Sequence, residues 1–391
     1  MPDFIKKELA RLKKDGLYRQ LKQIGPATLV FCSNDYLGLS QHPRVKAAAI
    51  AAIAKYGFGA GASRLVSGNS PLQEELERKI ANFKGRAAAI VFPTGYMANL
   101  GAISSLVDEN DTVIIDRLDH ASIIDACKLT KAKLQVYRHN DPAALEAILK
   151  RSAKFKKRLI VTDSVFSMDG DLAPLPEIVA LARKYDALTM IDEAHATGTI
   201  GQTGRGLEEH FGLKGQVDIV MGTLSKAVGS VGGFVAGSAE LINYLRNKAR
   251  SFIYTTALPP AACATSLEAL KIIEQEPELL RNLRMNSRFL REKVAAVFRP
   301  PYNGDLKVAA TTSGSDEIPI IPIIIGDSTK TMEISRKLLE RSIFVSAIRP
   351  PTVPQDQSRL RITISAVHKK EDIVCLASSL RELIPASAKR T

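Results

Sequence analysis

The chain predicts an α/β protein, with a large domain on a mixed, mostly parallel sheet and a smaller α+β domain at its C-terminal end. Three observations carry this expectation. Short, β-branched apolar runs recur at 87–92, 112–116, 159–163, 187–192, 218–221 and 233–236, each bounded by turn residues. Helical patterns separate most of them, as at 99–106, 142–150 and 175–185, which is the alternation of parallel βαβ units. The last two runs are joined by only a short loop, so they are expected to pair antiparallel and make the sheet mixed.

Residues 1–25 carry Phe4, Ile5, Leu9, Leu12 and Leu17 at helical spacing, and residues 1–40 are expected to form a helical N-terminal arm. A short apolar segment at 28–32 follows. The alanine-rich run 43–56 has strong helix propensity and stops at Gly57, Gly59 and Gly61. The large domain is expected to span 41–275 and the small domain 276–391. A long helical stretch is expected at 261–298, and strand-like runs at 318–325 and 360–364 belong to the smaller domain.

Composition narrows the function. The chain has 391 residues, 45% hydrophobic and 24% charged, which is ordinary for a globular protein of two or three domains. No apolar run reaches the roughly 18 residues that a membrane span needs, and no apolar signal core follows the N-terminus, so a cytoplasmic enzyme is expected. Cys32, Cys127, Cys263 and Cys375 are far apart and form no CxxC or Cys/His group, so neither a disulfide framework nor a metal site is expected. The net charge of +13 is spread along the chain, with one dense cluster at 154–158. Without an RNA-binding or zinc-finger signature, that charge reads as a solvated basic surface suited to anionic substrates, not as a nucleic-acid interface.

Two clusters point to chemistry. An apolar strand delivers Asp192 at its carboxyl end, with His195 three residues on, where ligands bind in open α/β sheets. A second strand runs into Gly222-Thr223-Leu224-Ser225-Lys226, and a lysine among hydroxyls and glycines at a strand end suits a Schiff base to a phosphorylated cofactor. The two fit together, because a carboxylate beneath a pyridine nitrogen keeps that nitrogen protonated and the ring able to accept carbanion electrons. Asp-Glu-Ala-His at 192–195 also spells a helicase box, yet no GxxxxGK[ST] loop accompanies it. Glycines 57, 59 and 61 resemble a dinucleotide fingerprint, but a helix precedes them where a strand is required. Thr94-Gly95-Tyr96 opens a helix after a strand, where backbone N–H groups hold phosphate. His120, after the 112–116 strand, is placed to stack on a cofactor ring.

Together these motifs resemble the α-oxoamine synthase family, pyridoxal-phosphate (PLP) enzymes that join an amino acid to an acyl thioester with release of CO2. The likeness runs from about Gly16 to the end of the C-terminal domain. It includes SNDYLGL at 33–39, ASRLVSGN at 62–69, VFSMDG at 165–170, FIYTTALPP at 252–260 and AIRPPTVP at 347–354. These segments are most similar to the branch that joins L-alanine to a pimeloyl thioester in biotin synthesis, the last being the most discriminating. A sister branch that uses glycine with another acyl-CoA stays open.

The resemblance implies the aspartate-aminotransferase-like PLP fold and a homodimer with a shared active site. It implies that Lys226 carries PLP, Asp192 pairs with the pyridinium nitrogen, and His195 and Ser167 bond around the phenolic oxygen. It implies His120 stacked on the ring, with Gly95, Tyr96 and Thr223 on the phosphate and Thr255 or Thr256 on the phosphate of the neighbouring subunit. Asn34 and Arg361 are implied at the amino-acid carboxylate, and Arg19 and Thr352 at the acyl substrate. The stretch between Arg19 and Asn34 is shorter than in many relatives and leaves little room for their small N-terminal sheet.

Overall fold

The computed structural model describes residues 2–297 and 317–384. The strands in chain order are β1 (Leu29–Val30), β2 (Ala88–Phe92), β3 (Thr112–Asp116), β4 (Lys133–Tyr137), β5 (Arg158–Asp163) and β6 (Leu188–Asp192). They continue with β7 (Ile219–Thr223), β8 (Gly233–Gly237), β9 (Ile320–Gly326), β10 (Ile343–Phe344), β11 (Ser346–Ile348) and β12 (Ser358–Thr363). The described residues divide into two compact units. The larger comprises Asn34–Ser167 and Asp171–Arg284; the smaller takes the chain up to Ser33, Met168–Gly170 and the chain from Met285 onward.

The larger unit is built on a seven-stranded sheet in the order β2-β8-β7-β6-β5-β3-β4. Strands β4, β3, β5, β6 and β7 run parallel, and β8 pairs antiparallel with both β7 and β2, as the short β7–β8 connection predicts. β5, β6 and β7 are almost wholly buried, in keeping with a parallel sheet covered on both faces. Ile90, Phe92, Val113, Ile115, Leu159, Val161, Met190 and Met221 build the core with Ala98, Ala102 and Ile103 of the helix Gly95–Leu106. The parallel strands end at one edge, and Asp163 and Asp192 lie side by side there in register.

In the smaller unit, β11, β12 and β9 form an antiparallel sheet, and β1 pairs with β10 over two residues. Arg359 on β12 is 1% exposed and explains why Met168–Gly170 belongs to this unit. Its guanidinium donates to Asp169 Oδ1 at 2.7 Å and to the Met168 carbonyl at 3.1 Å.

Two sequence expectations need correction, and three elements carry too weak a local signal to be predicted. The N-terminal helix covers only Asp3–Lys14, because Gly16 adopts φ 66° and ends it, so Arg19 does not sit on a helix. The run expected at 261–298 is two helices, Pro260–Gln275 and Pro277–Val297. Pro277 cannot donate the N–H that a continuous helix would need, and Phe298 lies outside the described residues. β4, a sheet-edge strand reading Lys-Leu-Gln-Val-Tyr, has too few apolar residues to stand out. The helices Pro71–Lys84 and Ala121–Lys128 also went unremarked, although Ser70 with Gln73 forms a capping box.

Candidate active site

At the carboxyl ends of β5, β6 and β7 the larger unit holds a cavity of about 210 Å³. Eight of the residues singled out in the sequence line it: Gly95, Tyr96, His120, Ser167, Asp192, His195, Thr223 and Lys226. They come from five separate connections, so the sheet is what brings them together.

Lys226 sits on the turn that leaves β7. That turn is fixed by Thr223, whose hydroxyl donates to the Gly232 carbonyl at 2.8 Å and accepts from the Ser225 N–H at 3.2 Å. The Lys226 Nζ lies 2.7 Å from His195 Nε2. His195 in turn places Nδ1 2.7 Å from the hydroxyl of Tyr36, which donates to Asn34 Oδ1 at 3.1 Å.

Asp192 closes β6. Its Oδ1 accepts from the Ala194 N–H at 2.8 Å and its Oδ2 from Asn99 Nδ2 at 2.8 Å. The next residue, Glu193, makes an ion pair with Lys84 in which each side chain is 2% exposed. Glu193 Oε1 accepts from the Leu207 N–H at 2.7 Å, and Lys84 Nζ donates to the Arg205 carbonyl at 2.8 Å. The strand end that presents Asp192 is thus anchored one residue further on.

His120 caps the helix Ala121–Lys128, with Nδ1 2.8 Å from Ser122 Oγ. Its backbone N–H donates to Asp163 Oδ2 at 3.1 Å. Burial pulls the His120 imidazole below its ordinary range against the opposing pull of Asp192, and the positive charge of Lys226 adds to the lowering. A neutral, flat ring results. Burial, then the charges of Asp192 and Asp119, push Asp163 well above the ordinary carboxylate range. Asp163 stands on the cavity wall.

The helix Gly95–Leu106 aims its N-terminus at the same space. Thr94 uses its hydroxyl on the Met97 N–H and its carbonyl on the Ala98 N–H. The amides of Gly95 and Tyr96 are the first-turn donors that this cap does not engage. A Cβ on Gly95 would meet the Met221 methyl at 3.2 Å and the Thr223 side chain at 3.3 and 3.4 Å. Gly233 lies beneath this turn, where a Cβ would come within 2.6 Å of the Thr94 carbonyl oxygen. Two glycines therefore keep open a cradle between helix start and hydroxyls, the arrangement that takes a phosphate.

These residues fit PLP. An amine, a buried carboxylate, a neutral imidazole and a phosphate cradle line one cavity, and Asn99 Oδ1 on its wall is buried without a hydrogen-bond partner. A bound polar group would satisfy that atom.

Thr255 is half-buried and Thr256 exposed, and neither lines the cavity. In the smaller unit, Arg19 and Thr352 line a separate cavity of about 460 Å³ with Arg349 and Lys22. Arg349 donates there to the Tyr18 carbonyl at 2.9 Å and also to that of Gly16. Burial, and next the charge of Arg19, draw the Arg349 guanidinium below its usual range. Arg361 is buried on β12 opposite Ser346.

Sequence reasoning passed over Asn99, Tyr36, Ser122, Asp163 and Ser225. Tyr36 stands inside the motif at 33–39 and Asn99 one helical turn beyond Thr94-Gly95-Tyr96, so position beside a recognised motif was the available signal.

Comparison with known proteins shows the family. The family model for aminotransferase class I and II matches residues 26–380. An 8-amino-7-oxononanoate synthase of Thermoanaerobacter pseudethanolicus is 48% identical over 383 residues, 95% of this chain and 94% of that protein. One from Lysinibacillus sphaericus is 46% identical and covers 98% of both chains. Among solved structures, a serine palmitoyltransferase variant from S. paucimobilis with bound PLP-myriocin superposes with a TM-score of 0.89 at 33% identity, covering 97% and 96% of the two chains. The 8-amino-7-oxononanoate synthase of Francisella tularensis superposes at 0.77 with 30% identity, covering 92% and 98%. With a matching family model and near-full-length relatives on a site of this geometry, the chain belongs to the class I and II aminotransferase family, in its α-oxoamine synthase branch.

Proposed function

We propose that this chain makes 8-amino-7-oxononanoate by decarboxylative condensation of L-alanine with a pimeloyl thioester, on CoA or a carrier protein, using PLP held by Lys226. The observation that carries the reading is the cavity in which Lys226 and Asp192 stand together, in a chain 48% identical to an 8-amino-7-oxononanoate synthase over nearly its full length. PLP, when bound, supplies an electron sink for the carbanion at the α-carbon of the amino acid.

The chain's own residues do the rest. Lys226 would hold the cofactor, and its Nζ, once free of it, would take the α-proton of alanine. Asp192 would pair with the pyridinium nitrogen, His120 would stack on the ring, and His195 and Ser167 would bond its phenolic edge. Gly95, Tyr96 and Thr223 would hold the phosphate, and in a homodimer Thr255 or Thr256 would reach the phosphate of the neighbouring subunit. Asn34 and Arg361 take the carboxylate of alanine, Arg361 through a bidentate pair. Arg19 and Thr352 meet the acyl donor, and the Arg19 and Arg349 guanidiniums suit its anionic carrier portion. The new bond joins the alanine α-carbon to the thioester carbonyl as the thiol leaves. The former alanine carboxylate departs as CO2, and a proton returns to the carbon it leaves.

Among the described residues no helix is long and apolar enough to cross a membrane, and we place the enzyme in the cytoplasm.

A second reading has one observation in its favour: the serine palmitoyltransferase structure superposes better, at 0.89 against 0.77. Identity to those two structures is nearly equal, at 33% and 30%, whereas 8-amino-7-oxononanoate synthases of other organisms reach 46–48%, and substrate choice follows pocket side chains more than backbone. The deciding experiment records the visible spectrum of the PLP-loaded protein with L-alanine or glycine, adds pimeloyl-CoA, and identifies the product by mass spectrometry. A response to alanine and the mass of 8-amino-7-oxononanoate are expected. A preference for glycine moves the chain to a sister synthase, and no bound chromophore refutes the role of Lys226.

A further inference from the structure

We infer that Ser122 is a positioning residue for His120: it holds Nδ1 of the imidazole as an acceptor, so the ring carries its hydrogen on Nε2 and offers the cavity a hydrogen-bond donor. The inference deepens the role given to His120 in the proposed reaction and rests on that reading.

Two donors of Ser122 meet at His120 Nδ1. The Ser122 backbone N–H lies 3.3 Å from it, and Ser122 Oγ lies 2.8 Å from it. That N–H belongs to the first turn of the helix Ala121–Lys128, and the imidazole is its cap. A backbone amide can only donate. A hydrogen on Nδ1 would point at the hydrogen of that amide, and the cap would be lost. With Nδ1 accepting, a neutral imidazole has its hydrogen on Nε2. Charge favours the same state. The positive end of the helix disfavours an imidazolium, and burial lowers the pKa of the ring, against the pull of Asp192 and Asp125 and with that of Lys226.

The hydroxyl agrees with the amide. Asn99 Nδ2 stands 2.8 Å from Asp192 Oδ2 and 2.8 Å from Ser122 Oγ. A carboxylate accepts, so the contact with Asp192 identifies this edge of the Asn99 amide as its NH2 side. The two hydrogens of that group serve Asp192 and Ser122. Ser122 Oγ therefore accepts from Asn99, and its own hydrogen turns to His120 Nδ1. The opposite polarity, with Nδ1–H donating to Ser122 Oγ, takes the imidazole away from the hydroxyl hydrogen and from the helix amide together. Asn99 and Ser122 are both buried, where a donor left unmet has given up its hydration for nothing. The contacts thus run from Asn99 to Ser122 to His120, and the same asparagine holds the carboxylate of Asp192. His120 lines the cavity, and an Nε2–H there suits an oxygen of the bound substrate.

The test is a long-range 15N–1H correlation spectrum of the full-length, PLP-loaded protein labelled at histidine, with the His120 signals identified by their loss in His120→Gln. Wild-type protein is expected to show the Nε2–H tautomer. Ser122→Ala removes the hydroxyl and is expected to move the signal of the bare Nδ1 downfield, with kcat/KM for L-alanine falling roughly 3- to 10-fold, the worth of one hydrogen bond. Should Ser122→Ala fold poorly, Asn99→Ala at saturating PLP is expected to move the same Nδ1 signal, because the hydroxyl is then no longer turned toward His120. A wild-type His120 with its hydrogen on Nδ1, or with one on each nitrogen, overturns the inference. So does an Nδ1 signal that the folded variants leave in place. The spectrum is taken without substrate, so an unexpected product would sink the proposed function and leave the tautomer as found.

Discussion

Asn99 donates its side-chain amide to Asp192 Oδ2 at 2.8 Å and, through the same nitrogen, to Ser122 Oγ at 2.8 Å. The carboxylate assigned to the pyridinium nitrogen is therefore held from the helix Gly95–Leu106 as well as from its own chain through the Ala194 amide. Under the proposed roles, the helix that would offer its first turn to the phosphate also steadies the carboxylate.

Asn99→Ala is expected to weaken PLP binding by roughly 10- to 100-fold, since a hydrogen bond to a charged group contributes about 1.5–3 kcal/mol. Fluorescence titration of the apo-protein with PLP measures it. A dissociation constant equal to that of wild type would show that the Ala194 amide holds Asp192 unaided.

Asp192→Asn is expected to keep PLP bound yet lose turnover by about 100-fold or more, because a neutral amide cannot stabilise the charge that develops on the ring during reaction. The visible spectrum and the rate of thiol release, taken on one preparation, separate binding from catalysis. Near-normal release would contradict the role given to Asp192.

Lys84→Met leaves the carboxylate of Glu193 buried without its cation. Breaking such a pair from one side costs about 3–5 kcal/mol, so the urea midpoint should fall sharply. Adding Glu193→Leu should recover only part of that loss, because the Leu207 N–H loses its acceptor at the same time. Full recovery in the double variant would mean that the Leu207 contact contributes nothing.

His139 bridges Asp116 at 3.0 Å and Asp171 at 2.8 Å, beside the loop that carries Ser167. Burial opposes its charge, but hydrogen bonds to the two carboxylates outweigh that and raise its pKa to about 10 from 6.5. In the unfolded chain the imidazole loses its proton near 6.5, while in the folded protein it keeps it to about 10. The stabilisation is therefore complete below 6.5 and fades as pH rises from 6.5 to about 10. Denaturation midpoints across that window should fall in wild type, and His139→Gln should flatten the trend. An equal slope in the two proteins would locate the titrating group elsewhere.

Much of the architecture was legible from the chain alone, because burial on both faces of a parallel sheet demands continuous apolar runs, and those are visible without a structure. β3 was marked out to the residue, and the antiparallel turn from β7 to β8 followed from loop length. What escaped was marked weakly or overridden. β4 is half polar at the sheet edge, the N-terminal helix yields to Gly16, and the 261–298 run yields to Pro277.

At the site the division is similar. The residue types for the chemistry, Lys226, Asp192, His195, His120 and the Gly95 helix start, each stand beside a strand end, so strand pattern and motif together pointed to them. Their partners were settled only by the tertiary structure. Asn99 meets Asp192 from 93 residues away, Lys84 meets Glu193 from 109, and Tyr36 meets His195 from 159. Local sequence determines which groups a turn can present. Which buried donor faces which acceptor depends on how strands and helices pack, and no spacing along the chain encodes that.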